Sequence, residues 1–161
     1  MTETSASRGG IAGLIVRLYR WLDCVPYAVL AISLRVAVAT VFWNSAMTKL
    51  ADWNATLFLF TDEYQVPLLP PELAANLALV IEVTTPVLLI LGLFTRIAAL
   101  VLLGMTAVIE IFVYPQAWPT HIQWAAMLLV LLCRGAGTFS LDHLVQRLSL
   151  HWRGLTPMTK I

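Results

Sequence analysis

The stretch Leu73-Ala-Ala-Asn-Leu-Ala-Leu-Val-Ile-Glu-Val-Thr-Thr-Pro-Val-Leu-Leu-Ile-Leu-Gly-Leu-Phe94 carries one charge, Glu82, in a run that is otherwise apolar or weakly polar. A helix rises about 1.5 Å per residue, so about 20 residues cross the ~30 Å of hydrocarbon in a bilayer. The run lacks the period-2 alternation of a half-buried strand. In lipid its backbone groups must be satisfied within the segment, which a helix does. It reads as a membrane-spanning helix. Three more runs qualify on either side of it: about Tyr27 to Thr48, Ile97 to Tyr114 and, shortest, Ala117 to Cys133. The expected fold is all-α, an integral membrane bundle of four transmembrane helices over residues 27–134. Residues 1–26 and 135–161 are expected to be tails carrying amphipathic interfacial helices.

Composition agrees. The 161 residues are 60% hydrophobic and 12% charged, with a mean hydropathy of +0.83, whereas an ordinary soluble domain is about a quarter charged. So few charges cannot coat a soluble surface, and so much apolar content excludes a disordered chain. The net charge of +1 leaves no basic field of the kind nucleic acid requires. Cys24 and Cys133 have no C-x-x-C spacing and read as small buried hydrophobes.

The basic residues orient the bundle. Arg8, Arg17 and Arg20 precede the first run, Arg96 separates the second and third, and Arg134, Arg147, Arg153 and Lys160 follow the fourth, which places eight of the ten basic residues on one side. The loop from Lys49 to Glu72 is acidic, with Asp52, Asp62, Glu63 and Glu72. The positive-inside rule then predicts cytoplasmic termini, with Trp53 and Trp118 at the outer interface and Trp21 at the inner one. Ile11, Leu14, Ile15, Leu18 and Leu22 form a helical stripe, as do Leu141, Leu144, Val145, Leu148 and Trp152 after a cap at Ser140. Both stripes fit helices lying on a leaflet and equally fit helices packed beneath the bundle. The N-terminus is not expected to be a cleavable signal, because its apolar run continues well past signal length. Thr56-Leu-Phe-Leu-Phe60 is too short to cross and is expected to dip back or lie flat as a helix.

Three charged residues fall inside the runs: Arg35, Glu82 and Glu110. Each costs at least about 2.5 kcal/mol at a helix centre, so each is expected to face the bundle and find a partner. Arg35 lies about 12 Å into its helix and Glu82 near mid-span, which predicts a buried Arg35–Glu82 pair. Glu110 lies in the outer half, near Lys49 and His121, which predicts a second tier of Glu110 with Lys49 or His121. His121, at a helix start, reads on its own as solvated or capping. On the third run Ala99, Leu103, Thr106, Ala107, Glu110 and Tyr114 share one face, and on the fourth His121, Trp124, Ala125 and Leu128 do. Asn44 points away from Arg35 and suits a contact with another subunit.

Such charges either fix helix register or form a site, as proton carriers or as hydrogen-bond partners for a lipid-soluble substrate. No H-E-x-x-H, phosphate loop, G-x-G-x-x-G, C-x-x-C-H or G-x-S-x-G motif is present, so no metal site and no self-contained catalytic motif is expected, and enzymatic activity stays open.

Leu34-Arg35, Trp43-x5-Lys49-Leu50, Ile81-Glu82, the turn Leu91-Gly-Leu-Phe-Thr-Arg96 and the tail Gly135-Ala-Gly-Thr-Phe-Ser-Leu-Asp142 together resemble the DoxX family of small bacterial membrane proteins, over about Val29 to Leu144. The resemblance implies a four-helix bundle in the bacterial cytoplasmic (inner) membrane. The family takes its name from a subunit of a thiosulfate:quinone oxidoreductase. It therefore implies a quinone-linked redox protein, or the membrane subunit of such a complex. Arg35 and Glu82 would bind the quinone head group or relay its proton, and Glu110 would open a path outward. Electrons would come from a redox partner protein, since no redox centre is encoded. Two other readings stand beside it: a non-enzymatic anchor or assembly partner, and a small transporter working as a homo-oligomer.

Overall fold

The computed structural model describes residues 9–64 and 66–152, and every regular element among them is helical. Arg8, Arg153 and Lys160, counted in the charge asymmetry, lie outside the described residues, as do the side chains of Ile11 and Trp152. Helix α1 (Gly9–Asp23) leads to extended Pro26, which starts α2 (Tyr27–Ala51). Asp52 accepts from the Ala55 N–H at 2.9 Å and caps α3 (Trp53–Phe58), which runs on as a π-helical turn, Leu59–Tyr64. Next come α4 (Pro71–Leu91) and α5 (Thr95–Val108), the latter continued by a π-helical segment, Ile109–Val113. A 3-10 turn at Pro115–Ala117 leads into α6 (Trp118–Arg134), and α7 (Leu141–Trp152) closes the described chain.

Three segments are long and apolar enough to cross a membrane: Tyr27–Ala51, Pro71–Leu91 and Thr95–Val113. Helix α6 has 17 residues. Helices α2, α4, α5 and α6 share one core around Val38, Phe42, Leu89, Leu102, Leu128 and Leu131. Where they touch, alanines predominate, among them Ala31, Ala46, Ala75 and Ala99, and small residues let helices approach closely in lipid. The large side chains point outward: Leu30, Val36, Leu77, Ile90, Leu100 and Leu129 are exposed. An alanine-rich interior with a leucine- and valine-rich exterior inverts the pattern of a soluble protein and suits a hydrocarbon solvent. The chain is an integral membrane protein.

The expected runs match these helices within a few residues. On α5 the buried face is Ala98, Ala99, Leu102 and Thr106, while Ala107 is exposed, so the helix is rotated from the expected face. Cys24 and Cys133 are exposed rather than buried. The Thr56–Phe60 stretch is helical, and it packs inward: Phe60 is buried against Ala74, Ala75 and Ala78. Ser140 caps α7, accepting from the His143 N–H at 3.2 Å. The stripes Leu14, Ile15, Leu18, Leu22 and Leu141, Leu144, Val145, Leu148 are both exposed.

Two of the stretches that carried the family resemblance, the turn to Arg96 and the tail to Asp142, meet in space. Gly92, left-handed at φ 66, ends α4, and the Asp142 N–H donates to its carbonyl at 2.9 Å. The Asp142 carboxylate in turn accepts from the Phe94 and Thr95 N–H groups at 2.8 and 3.0 Å, capping α5. A Cβ at Gly92 would sit 2.6 Å from the Ser140 Cβ and 2.9 Å from Arg35 Nη2, so both the backbone conformation and the close approach require glycine. This locked region lies where α2 and α5 start and α4 and α6 stop; we call it the terminal end, and the opposite one, holding α3 and the 3-10 turn, the loop end.

Candidate functional site

Arg35 and Glu82 are both buried, but they do not pair. Arg35 leans into the terminal end. Its Nε donates to Leu89 O at 2.6 Å, Nη1 to Ala136 O at 3.2 Å and to Phe139 O at 2.9 Å, and Nη2 to Ile90 O. The guanidinium thus satisfies the last carbonyls of α4 and the loop after α6, where helix dipoles favour a cation. The reason is directional. Side chains on a helix lean towards its N-terminus, so Arg35 is carried away from Glu82, which lies nearer the middle of the bundle.

The same lean brings Lys49, at the far end of α2, inward. Lys49 Nζ donates to Glu82 Oε1 at 2.9 Å and to Ser45 Oγ, one turn back, also at 2.9 Å. Ser45 donates to the same Glu82 Oε1 at 3.1 Å. Glu82 Oε2 lies 2.8 Å from the ammonium but accepts no hydrogen bond from it, and it is buried. One carboxylate oxygen is therefore doubly served and the other is left with charge contact alone. Ser45 was not singled out from sequence; its spacing of four residues before Lys49 is the only signal that could have found it.

His121 is buried, not solvated. Its Nδ1 lies 2.6 Å from Glu110 Oε2, eleven residues earlier, because the turn at Pro115–Ala117 folds α6 back onto the π-helical segment. With Glu110 ionised, Nδ1–H donates and Nε2 is left for a ligand. Of the two partners expected for Glu110, His121 is the one it has. Tyr114 donates to Glu63 Oε1 at 2.9 Å, and its oxygen lies 3.3 Å from the Tyr64 hydroxyl. Both π-helical segments sit at this end, and such segments often mark functional sites.

These groups surround one cavity of about 390 Å³. Lys49, Ser45, Glu82 and His121 form its polar part, beside Trp124 and Phe42, and the remaining wall is mostly apolar, with Ala78, Ile81, Met105 and Val108. A mostly apolar cavity of this size with a few converging polar groups is the usual form of a small-molecule site. Arg35 lines no part of it, and Asn44 is on the exposed face of α2. Among the described residues no three His, Cys, Asp or Glu side chains cluster to hold a metal ion.

The DoxX family model matches residues 30–115, just over half of the chain. The chain belongs to the DoxX family. No curated protein and no solved structure matches it. The matched region of this DoxX protein contains Arg35, Lys49, Glu82 and Glu110 but ends before His121.

Proposed function

We propose that this DoxX protein crosses the bacterial cytoplasmic membrane four times, with both termini cytoplasmic, and that its loop-end cavity binds the head group of a lipid-soluble quinone as part of a redox complex. Helix α6 supplies the fourth crossing, since it shares the core of α2, α4 and α5, and Arg17, Arg20, Arg96, Arg134 and Arg147 all fall towards one side. The exposed stripes of α1 and α7 then lie on the cytoplasmic leaflet.

One observation carries the quinone reading: a buried carboxylate, Glu82, faces a mostly apolar cavity, and its Oε2 has only the ion-pair contact with Lys49 at 2.8 Å. That oxygen keeps lone pairs that a ligand's donor can use. A quinol hydroxyl is a donor that can enter such a cavity. The oxidised head group presents carbonyls instead, and Lys49 Nζ is the matching donor, while His121 Nε2, with Nδ1–H on Glu110, is a second acceptor for a quinol hydroxyl. The electron chemistry is the quinone's, exchanged with a partner protein. The chain's own residues bind and orient the head group, and Glu82 is the carboxylate that faces it; Glu110 does not line the cavity and touches it only through His121.

The test is extraction of the protein after mild detergent purification, with mass spectrometry of retained small molecules. Quinone is expected in near-equal amount to the wild-type protein and is expected to be lost from Glu82→Gln. Absence of quinone from the wild type, together with no binding of added quinone, would exclude the reading.

A further inference from the structure

The cavity has two boundaries that differ in kind. At the loop end the rim is aromatic and polar: Phe60 and Tyr64 meet edge to face at 5.0 Å, Tyr64 and Tyr114 at 5.6 Å, Tyr114 donates to Glu63, and Leu69 and Tyr114 line the cavity while 40% exposed. On the side, the wall is made by α4 and α5. There Leu77, Val101 and Val108 line the cavity and yet are 44%, 38% and 39% exposed. A side chain that both lines a cavity and reaches the outer surface marks an opening between the two. Leu77 and Val108 stand at nearly equal distance along the chain from the turn at Gly92 and sit level across the seam. Beside Leu77 the α4 wall includes the short side chains Ala74 and Ala78, with Ile81 and Glu82 further in. Both helices belong to segments apolar enough to span the membrane, so what lies outside the seam is acyl chain, not water.

We propose that the cavity opens sideways into the bilayer through the α4–α5 seam, and that its ligand is a lipid with one long apolar tail that enters by this route. The tail stays in the seam, against Leu77, Val101 and Val108, while the head group rests by Glu82, Lys49 and His121. This rests on the quinone-binding reading and adds to it a tail requirement and a direction of entry. Moving a tail from other acyl chains to apolar side chains gains little, so the seam acts chiefly on access and fit.

The test uses the full chain, purified in detergent, and two probes: a quinone with a decyl tail and the same head group without a tail. Leu77→Trp and Val108→Trp place a large ring in the seam from positions that already face outward, and Val108→Ala widens it. The tryptophan variants are expected to weaken binding of the tailed quinone about ten-fold, equivalent to about 1.4 kcal/mol. They are expected to leave the tail-less probe within about two-fold, and Val108→Ala is expected to bind both probes at least as well as the wild type. Unchanged binding of the tailed quinone in both tryptophan variants would overturn the lateral portal. Equal loss of both probes would overturn it too, since the substitutions would then act on the head-group end. Failure of the wild type to bind either probe would remove the quinone reading and the portal with it.

Discussion

Two buried charged groups in one bundle have opposite surroundings. Arg35, at the terminal end, is buried and makes four hydrogen bonds, all to backbone carbonyls. Glu82, nearer the loop end, shares one oxygen between Lys49 and Ser45, keeps the other without a hydrogen bond, and faces a cavity. The first arrangement leaves nothing for a ligand and ties α2 to α4 and to the loop after α6. The second leaves an acceptor, a cation and a space. A buried charge in a membrane protein is a site by default, and the difference lies in how completely the chain itself satisfies it.

The comparison is broken most sharply at the terminal end. Replacing Arg35 with Leu removes the donor to four carbonyls; Leu89 O keeps the Gly92 N–H, and the other three are stranded at about 1–3 kcal/mol each. Little folded protein is expected in size-exclusion chromatography, and Arg35→Lys is expected to recover it only in part because an ammonium lacks the fork. At the loop end, Lys49→Met leaves Glu82 buried without its counter-ion and is expected to cost about 3 kcal/mol, read as a lower melting temperature. The double variant Lys49→Met with Glu82→Leu removes both charges and is expected to return to within about 1 kcal/mol of the wild type while losing quinone. Full loss of folding in that double variant would make the loop-end pair structural, like Arg35. Gly92→Ala combines a left-handed backbone with a contact at 2.6 Å and is expected to cost about 1–3 kcal/mol in thermal unfolding. Smallest is Tyr114→Phe, which deletes one partly exposed hydrogen bond and is expected to cost no more than about 1 kcal/mol.

Much of the fold was legible because membrane spans depend on length and hydropathy alone. The boundaries of α2, α4 and α6 fall close to where the apolar runs begin and end, and Ser140 announces α7 by its residue type. The site was half legible. Arg35, Lys49, Glu82, Glu110 and His121 stand out as polar residues in or at the ends of apolar runs, and shared depth put Glu110 beside either Lys49 or His121 without choosing between them. The pairing of Arg35 with Glu82 failed because depth was measured along the helix axis. Both side chains lean towards the N-terminus of α2, which carries Arg35 away from Glu82 and Lys49 towards it, and that is enough to exchange Glu82's partner. Burial of His121 was missed because the fold-back at Pro115–Ala117 brings it under Glu110, and single-residue position cannot show that. Neither π-helical segment has a signature in the sequence, and Tyr64 reaches Tyr114 only through the first of them. Of the strings that carried the resemblance, Leu34-Arg35, the turn to Arg96 and the tail to Asp142 lock the terminal end, while Lys49, Ile81 and Glu82 line the cavity.

The most direct test sets the two charged groups side by side: bound quinone per folded protein in Arg35→Lys and in Glu82→Gln, each purified in the same detergent and isolated as the folded monodisperse fraction. Whatever Arg35→Lys protein folds is expected to retain wild-type quinone content, whereas Glu82→Gln is expected to fold and come away empty. Quinone kept by folded Glu82→Gln and lost from folded Arg35→Lys would place the site at the terminal end and contradict the assignment made here.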